Sequence, residues 1–212
     1  MGKCILNLLI DGFETEAFST WRTLHENECI LMCLIKYGEP IFKAYFRHVT
    51  YAIAYRKQIK SKEETDKIFE EIKFNMKEHD LKSKDMKKYI EYGYLFAIKN
   101  INLNTDFKLN FRDGVEKLAG LSEYSKVYEM SSEISHSSPL LLYSKKEYYY
   151  AITIINLYES FFRLEKIFEE YYKQNVEEKI ALQYSILKAT YLRQLHYIHQ
   201  DFSNSFKIGL EN

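Results

Sequence analysis

Residues 122–143, with the sequence SEYSKVYEMSSEISHSSPLLLY, predict a helix with an abrupt end. The rest of the chain is predicted to form a helical scaffold around this helix. A residue before proline disfavours the helical conformation, so Pro139 predicts that this helix ends near His136. Ser132 and His136 are four residues apart and share one helix face. A histidine at a helix C-terminus is favoured in its protonated form, which suits a general acid near neutral pH. The alternative is that His136 only responds to the helix dipole and that the serines cap and turn the chain.

The composition is typical of a helical protein. The 212 residues include only two prolines and seven glycines, and 46% are hydrophobic. A chain of this length is expected to form one domain. Its 30 basic and 30 acidic residues balance, so no global field attracts nucleic acid or an anionic membrane, and RNA binding would depend on a local patch. The apolar run at residues 5–10 is too short for a signal peptide or a membrane span.

The hydrophobic pattern predicts helices through the first half of the chain. A long helix is expected over residues 13–37, and Pro40 is well placed as the first residue of a second helix reaching about residue 60. A capping box at residues 61–64 begins a charged helical hairpin over residues 61–97. Acidic residues interleave with its lysines, so this hairpin is expected to lie on the outside with its charges solvated.

The C-terminal third has the most regular pattern. A capping box at residues 144–147 begins a long amphipathic helix with Arg163 in its polar stripe, and Asn175 is expected to mark the turn to a second long helix. Two such helices form an antiparallel hairpin, the natural half of a bundle. The predicted fold is therefore all-α, a single-domain helical bundle of seven or eight helices over residues 1–212. The long apolar helices of residues 144–200 also predict a homodimer.

The three cysteines indicate reduced thiols and a cytoplasmic setting. Cys4, Cys29 and Cys33 are odd in number and form no Cys-x-x-Cys pair. Cys29 and Cys33 share a helix face, and we interpret them as buried thiols because no histidine or aspartate pattern completes a metal site.

Two further spacings of acidic residues and histidines bear on metal binding. Glu133 and His136 have the Glu-x-x-His spacing of di-iron bundles, but such a site needs that motif twice and the chain has it once. A single-metal site from His196, His199 and Asp201 is the remaining alternative. The prediction is that the protein uses no metal and no cofactor.

Two polar pairs carry a family resemblance. Arg22 and Glu26 share a helix face, and arginine before glutamate is the weaker order for stabilising a helix, so the pair is expected to serve another purpose. The stretches AFSTWRTLHENECILMCLIKYGEP and VYEMSSEISHSSP, with their Arg-x-x-x-Glu and Ser-x-x-x-His motifs, resemble a bacterial helical family catalogued as a domain of unknown function, over roughly residues 13–143. That family is similar in outline to the HEPN helical domains, many of which are metal-independent ribonucleases of toxin and antiviral defence systems.

The resemblance implies a site for RNA cleavage. In that interpretation His136 is the general acid or base, Arg22 stabilises charge on the phosphorane, Ser132 positions a phosphate oxygen and Glu26 orients Arg22. The alternative is a non-catalytic interaction or regulatory protein with a protein partner, in which the same four residues form a buried polar network that fixes helix register.

A second candidate pair, Arg193 and His199, lies near the C-terminus. The HEPN ribonucleases place four to six residues between arginine and histidine, and here there are five. The residue after the arginine is Gln194, where those enzymes usually have Asn, Asp or His, and so short a motif also arises by chance. The alternative is the solvated end of a surface helix.

Overall fold

The computed structural model describes residues 1–58, 61–101, 106–135, 146–175 and 178–211. These residues form an all-α fold without β-strands, which confirms the predicted fold class. The α-helices of this described part are α1 (Gly2–Ile10), α2 (Glu14–Tyr37), α3 (Glu39–Tyr55), α4 (Lys62–Glu78), α5 (Met86–Tyr92), α6 (Lys117–Ala119), α7 (Ser125–Ser135), α8 (Lys146–Asn175) and α9 (Glu178–Glu211). A π-helix, Phe111–Glu116, leads into α6, and a single 3-10 turn, Ser122–Tyr124, leads into α7.

Local sequence signals set most of the helix ends. Gly38 has a φ of 69°, a left-handed conformation that glycine adopts freely, and it separates α2 from α3. The Ser61 hydroxyl accepts a hydrogen bond of 3.3 Å from the backbone N–H of Glu64 and caps α4. Helix α3 ends at Tyr55 rather than near residue 60, because Lys57 has a φ of 57° and cannot continue a right-handed helix.

Two predicted helix ends fall at or beyond the limits of the described residues, and one helix of the structure was not predicted. The expected helix end at His136 and Pro139 lies outside the described residues, as does Ser144, the first residue of the capping box at residues 144–147. The apolar run at residues 5–10 falls within α1, where Ile5 and Leu9 share a buried face. No helix in the described ranges combines the length and apolar content needed to cross a membrane.

The chain forms two compact units, and its organisation as a single domain stays a prediction. Unit 1 comprises Met1–Glu28 and Val127–Asn212, and unit 2 comprises Cys29–Lys126.

The core of unit 1 combines aromatic side chains from α2 and α8. Phe18 and Trp21 on α2 stack with their ring centroids 5.7 Å apart, and Tyr149 on α8 packs against Phe18 at the same distance. Helices α8 and α9 pair in antiparallel fashion, because Tyr184 contacts Glu165 near the turn while His199 contacts Tyr158 further from it. These contacts confirm the predicted C-terminal hairpin.

The charged hairpin contributes its apolar face to the core of unit 2. Its lysines are exposed, as expected. However, Ile72 and Met76 on α4 and Tyr89 and Ile90 on α5 are buried and pack with Tyr51 of α3. The hairpin therefore adds its apolar face to the core of unit 2, while its charged face is exposed as expected. Its high charge describes one face only, since Ile72 and Met76 are four residues apart on the other.

Candidate functional site

Helices α2 and α7 bring the two predicted motifs together in unit 1. Nη1 of Arg22 donates a hydrogen bond of 3.2 Å to Oγ of Ser132. Nε of Arg22 donates to Oε1 of Glu26, one turn further along α2, also at 3.2 Å. Arg22 thus contacts two of the other three predicted site residues. The fourth, His136, lies outside the described residues.

Tyr128 completes this group, which we call the Arg22 cluster: Arg22, Glu26, Tyr128 and Ser132. The Tyr128 hydroxyl accepts a hydrogen bond of 3.0 Å from Nη2 of Arg22 and donates one of 2.7 Å to Oε1 of Glu26. The Arg22 guanidinium carbon also lies 4.7 Å from the centroid of the Tyr128 ring, a cation–π distance. Tyr128 was not predicted as a site residue. The available signal was its position four residues before Ser132, which places both on one helix face.

The Arg22 cluster is partly open to solvent. The side chains of Arg22 and Glu26 are 25% and 34% exposed. Burial by itself lowers the pKa of Arg22, but the hydrogen bond to Tyr128 and the charge of Glu26 outweigh it and raise that pKa above its ordinary value. Burial raises the pKa of Tyr128, and the hydrogen bond to Glu26 raises it further. The cluster therefore presents a permanent cation beside a phenol that keeps its proton.

A second polar group, which we call the Glu28 cluster, lies fully or largely buried beside the first. Glu28, at the end of the unit 1 part of α2, accepts two hydrogen bonds from the guanidinium of Arg163 on α8. Nη2 of Arg163 also donates to Oγ of Ser160 at 3.2 Å, and the Trp21 indole donates to the same oxygen at 3.4 Å. His25 places its Nδ1 3.9 Å from Oε2 of Glu28.

The partners of Glu28 keep it ionised although it is buried. Desolvation raises the pKa of Glu28, but the interactions with His25 and Arg163 outweigh it and lower that pKa below its ordinary value. The His25 ring stacks on Trp21 with centroids 5.2 Å apart and lies 6.2 Å from the ring of Tyr128. The Glu28 cluster therefore lies on the buried side of the Arg22 cluster and contacts it through the rings of His25 and Tyr128.

The placement of Arg163 in a polar stripe opposite the core side of α8 was wrong. Its side chain is only 20% exposed because it turns toward Glu28, which has no exposure at all. The available signal was on α2, where Glu28 follows Trp21 by seven residues and so falls on the buried face of an otherwise apolar pattern.

The second candidate pair shares no face in the structure. Arg193 is exposed on α9, and residues six positions apart in an α-helix differ by about 240° in direction. His199 turns toward α8, where its Nε2 lies 3.8 Å from Oε1 of Glu159. Across the described ranges, no three histidine, cysteine or acidic side chains cluster as a metal site, His196, His199 and Asp201 included.

The cysteines match their interpretation as thiols. All three are free, with Cys29 and Cys33 buried and Cys4 exposed. Burial raises the pKa of Cys33 to about 12, so this thiol stays protonated.

Unit 2 contains a separate polar cavity that the sequence analysis did not predict. Its volume is about 200 Å³, and His48, His79, Arg47 and Asn75 are among the side chains that line it. Nδ1 of His48 lies 3.1 Å from the backbone oxygen of Ile90. Burial lowers the pKa of His48 to about 4, so its imidazole is neutral at physiological pH.

The fold and the Arg22 cluster define an all-α protein with an arginine-centred polar site. A family model described as a family of unknown function, DUF5677, matches residues 3–148, and the chain belongs to that family. The match includes the whole Arg22 cluster and His136, whereas Arg193 and His199 lie beyond it. A comparison with curated proteins found no match, and a comparison with solved structures found none either.

Proposed function

We propose that this protein is a metal-independent ribonuclease of bacterial toxin or antiviral defence, with its active site at the Arg22 cluster and His136. The observation that carries the proposal is the hydrogen bond between Arg22 and Ser132, which joins the two motifs behind the resemblance to a family of unknown function that is similar in outline to the HEPN domains. The partial exposure of Arg22 supports it as well, because a phosphate group needs access to the guanidinium.

The proposed reaction is internal transfer at an RNA phosphodiester. The 2′ oxygen attacks the adjacent phosphorus, the bond from phosphorus to the 5′ oxygen breaks, and a 2′,3′-cyclic phosphate and a 5′-hydroxyl end result. His136 takes the 2′ proton or supplies a proton to the leaving oxygen. Arg22 stabilises the negative charge that develops on the phosphorane, and Ser132 donates to one of its oxygens.

Glu26 and Tyr128 act as positioning residues in this scheme. Both contact Arg22, and the Tyr128 hydroxyl also bonds Glu26, so the two residues hold the guanidinium at Nε and Nη2. An arginine held in this way loses little further side-chain entropy when it binds phosphate. The buried Glu28 and Arg163 pair stabilises the segment of α2 that presents Arg22.

A second function is favoured by one observation. Nε, Nη1 and Nη2 of Arg22 each already donate within the chain, and Glu26 offsets the charge. Three of the five N–H groups of Arg22 are therefore already used within the chain, as in a structural polar network. In this alternative the protein is a non-catalytic interaction or regulatory protein, and the Arg22 cluster fixes the packing of α2 and α7.

Cleavage of total RNA without added metal separates the two functions. We would compare the wild type with Arg22→Lys, Ser132→Ala and His136→Ala, using Arg47→Lys and His196→Ala as controls at exposed positions. The ribonuclease proposal expects cleavage by the wild type and both controls, and its loss in Arg22→Lys and His136→Ala although circular dichroism shows both variants to be folded. Absence of cleavage by the wild type, with a lowered melting temperature in Arg22→Lys, would favour the structural network instead.

A further inference from the structure

Helix α3 in unit 2 has two apolar faces, of which only one is buried in the fold. Its buried face consists of Ile41, His48, Tyr51 and Ala54. On the other side, four large apolar side chains form what we call the α3 stripe: Phe42, Phe46, Val49 and Ile53, which are 50%, 55%, 39% and 38% exposed. Scattered exposed apolar residues are normal on a protein surface, but a continuous row along one helix face marks a contact surface.

The spacing of the α3 stripe is that of a coiled-coil seam. The four residues follow one another at steps of four, three and four, which are successive d, a, d and a positions of a heptad. At about 100° per residue they fall within an arc of about 60° on the helix. The rings of Phe42 and Phe46 already pack together with their centroids 4.8 Å apart, so the surface is preformed.

We propose that the α3 stripe is the interface with a second copy of this chain, and that the two α3 helices pair antiparallel about a two-fold axis. An axis between Arg47 and His48 places Phe46 of one copy against Val49 of the other and Phe42 against Ile53. An a residue then faces a d residue in every layer, as antiparallel coiled coils require. The same patch serves both copies, which is the property of a two-fold interface.

Charges at the ends of α3 select this arrangement. Glu39 begins the helix and Arg56 follows its last residue, and both are exposed. In the antiparallel register, Glu39 of one copy lies opposite Arg56 of the other at both ends of the seam. A parallel pair would instead place Glu39 beside Glu39 and Arg56 beside Arg56, which is destabilising. Within one copy, Nζ of Lys43 lies 2.5 Å from Oε1 of Glu39. Lys43 therefore lies beside the seam and does not disfavour the antiparallel pairing.

The size of the α3 stripe limits the expected affinity. Helix α3 has 17 residues and is therefore about 25 Å long, which allows four apolar layers and two charged ones. An interface of this kind falls at the small end of specific interfaces, and we expect a dissociation constant on the order of micromolar. The interface also differs from the helices of residues 144–200, on which the sequence-based prediction of a homodimer depended.

Sedimentation velocity on the full chain, from about 1 to about 100 µM to bracket the expected micromolar affinity, tests the proposal. The wild type is expected to shift from 25.4 kDa to twice that mass. Phe46→Glu is expected to stay a monomer, while Phe74→Glu, which changes an equally exposed phenylalanine on α4, is expected to dimerise like the wild type. A wild type that is monomeric throughout, or equal effects of the two substitutions, would overturn the proposal.

Charge exchange tests the register without altering the apolar seam. Glu39→Arg and Arg56→Glu are each expected to weaken dimerisation at least about fivefold, and the double variant is expected to recover most of the wild-type affinity. Circular dichroism melting curves show whether each variant is folded. A folded double variant that dimerises no better than the single variants would overturn the antiparallel pairing.

Discussion

Nη1 of Arg22 lies 3.2 Å from Oγ of Ser132, although 110 positions separate the two residues in the chain. The contact joins α2 to α7. It brings together the Arg-x-x-x-Glu and Ser-x-x-x-His motifs, which are far apart in the sequence. Each motif alone is short enough to occur by chance. Their meeting at a partly exposed arginine is the reason to treat the Arg22 cluster as a functional site.

The Tyr128 hydroxyl is expected to hold the Arg22 cluster together. Tyr128→Phe removes one donor and one acceptor shared by Arg22 and Glu26. We expect the free energy of unfolding to fall by about 1–2 kcal/mol and RNA cleavage to fall with it. Urea denaturation checks the first effect, with Tyr55→Phe, at an exposed position, as the control. Equal stability of the two variants would show that the Tyr128 hydroxyl contributes nothing.

The pairing of Arg163 with Glu28 predicts a large loss of stability when one partner is removed. Arg163→Met leaves a carboxylate buried without its main cation, and we expect a cost of about 3–5 kcal/mol in the free energy of unfolding. Lys166→Met, at an exposed position one turn along α8, is the matched control. Adding Glu28→Gln to Arg163→Met is expected to recover part of the loss. If the double variant lost the sum of the two single effects, Glu28 and Arg163 would not be coupled.

His48 is expected to make unit 2 sensitive to mild acid. Its pKa is lowered to about 4 from an ordinary value of 6.5, so the unfolded chain binds a proton that the folded chain does not between these values. The free energy of unfolding therefore decreases as the pH falls through this window, and between pH 7 and pH 5 this one group costs about 2 kcal/mol. The pKa of His79, in the same cavity, is lowered as well and acts in the same direction.

Urea denaturation at pH 7 and pH 5 measures this effect. The wild type is expected to lose more stability across that step than His48→Gln does, with His196→Gln behaving like the wild type because His196 is exposed. An equal loss in the wild type and His48→Gln would contradict the assignment.

Gly93 is expected to tolerate no side chain. A Cβ added there would lie 2.6 Å from Cε1 of His48 and 2.6 Å from the ring of Tyr89, both of which are buried. We expect Gly93→Ala to lower the free energy of unfolding by about 1–3 kcal/mol, since neither ring can move freely. Gly2→Ala is the control, because its Cβ would meet Leu157 at an ordinary 3.9 Å. Thermal unfolding of Gly93→Ala at the wild-type temperature would contradict this packing.

The sequence predicted the parts of this structure that depend on neighbouring residues. Gly38 and Pro40 mark the junction of α2 and α3, and Ser61 caps α4, because turns and caps are determined within a few residues. The Arg22 and Ser132 motifs were also identified from spacing alone. What the sequence could not show was that the two motifs meet, since this depends on how distant helices pack.

The features that were not predicted from the sequence also depend on how distant helices pack. Arg163 has the spacing of a solvated residue, and only the position of α2 turns it toward Glu28. The chain has 19 tyrosines, and the contact with Arg22 is what distinguishes Tyr128 from the others. Helix α1 was not predicted because its nine residues are too few to show a clear helical pattern. Its buried face is evident only from the structure.

The most direct test of the proposed ribonuclease is the product of cleavage in the presence of EDTA. A 5′-labelled RNA would be incubated with the wild type and with His136→Ala, and the new ends would be identified. The proposal predicts a 2′,3′-cyclic phosphate and a 5′-hydroxyl end from the wild type and no cleavage by His136→Ala. Cleavage that EDTA abolishes, or the same products from both proteins, would contradict a metal-independent site that depends on His136.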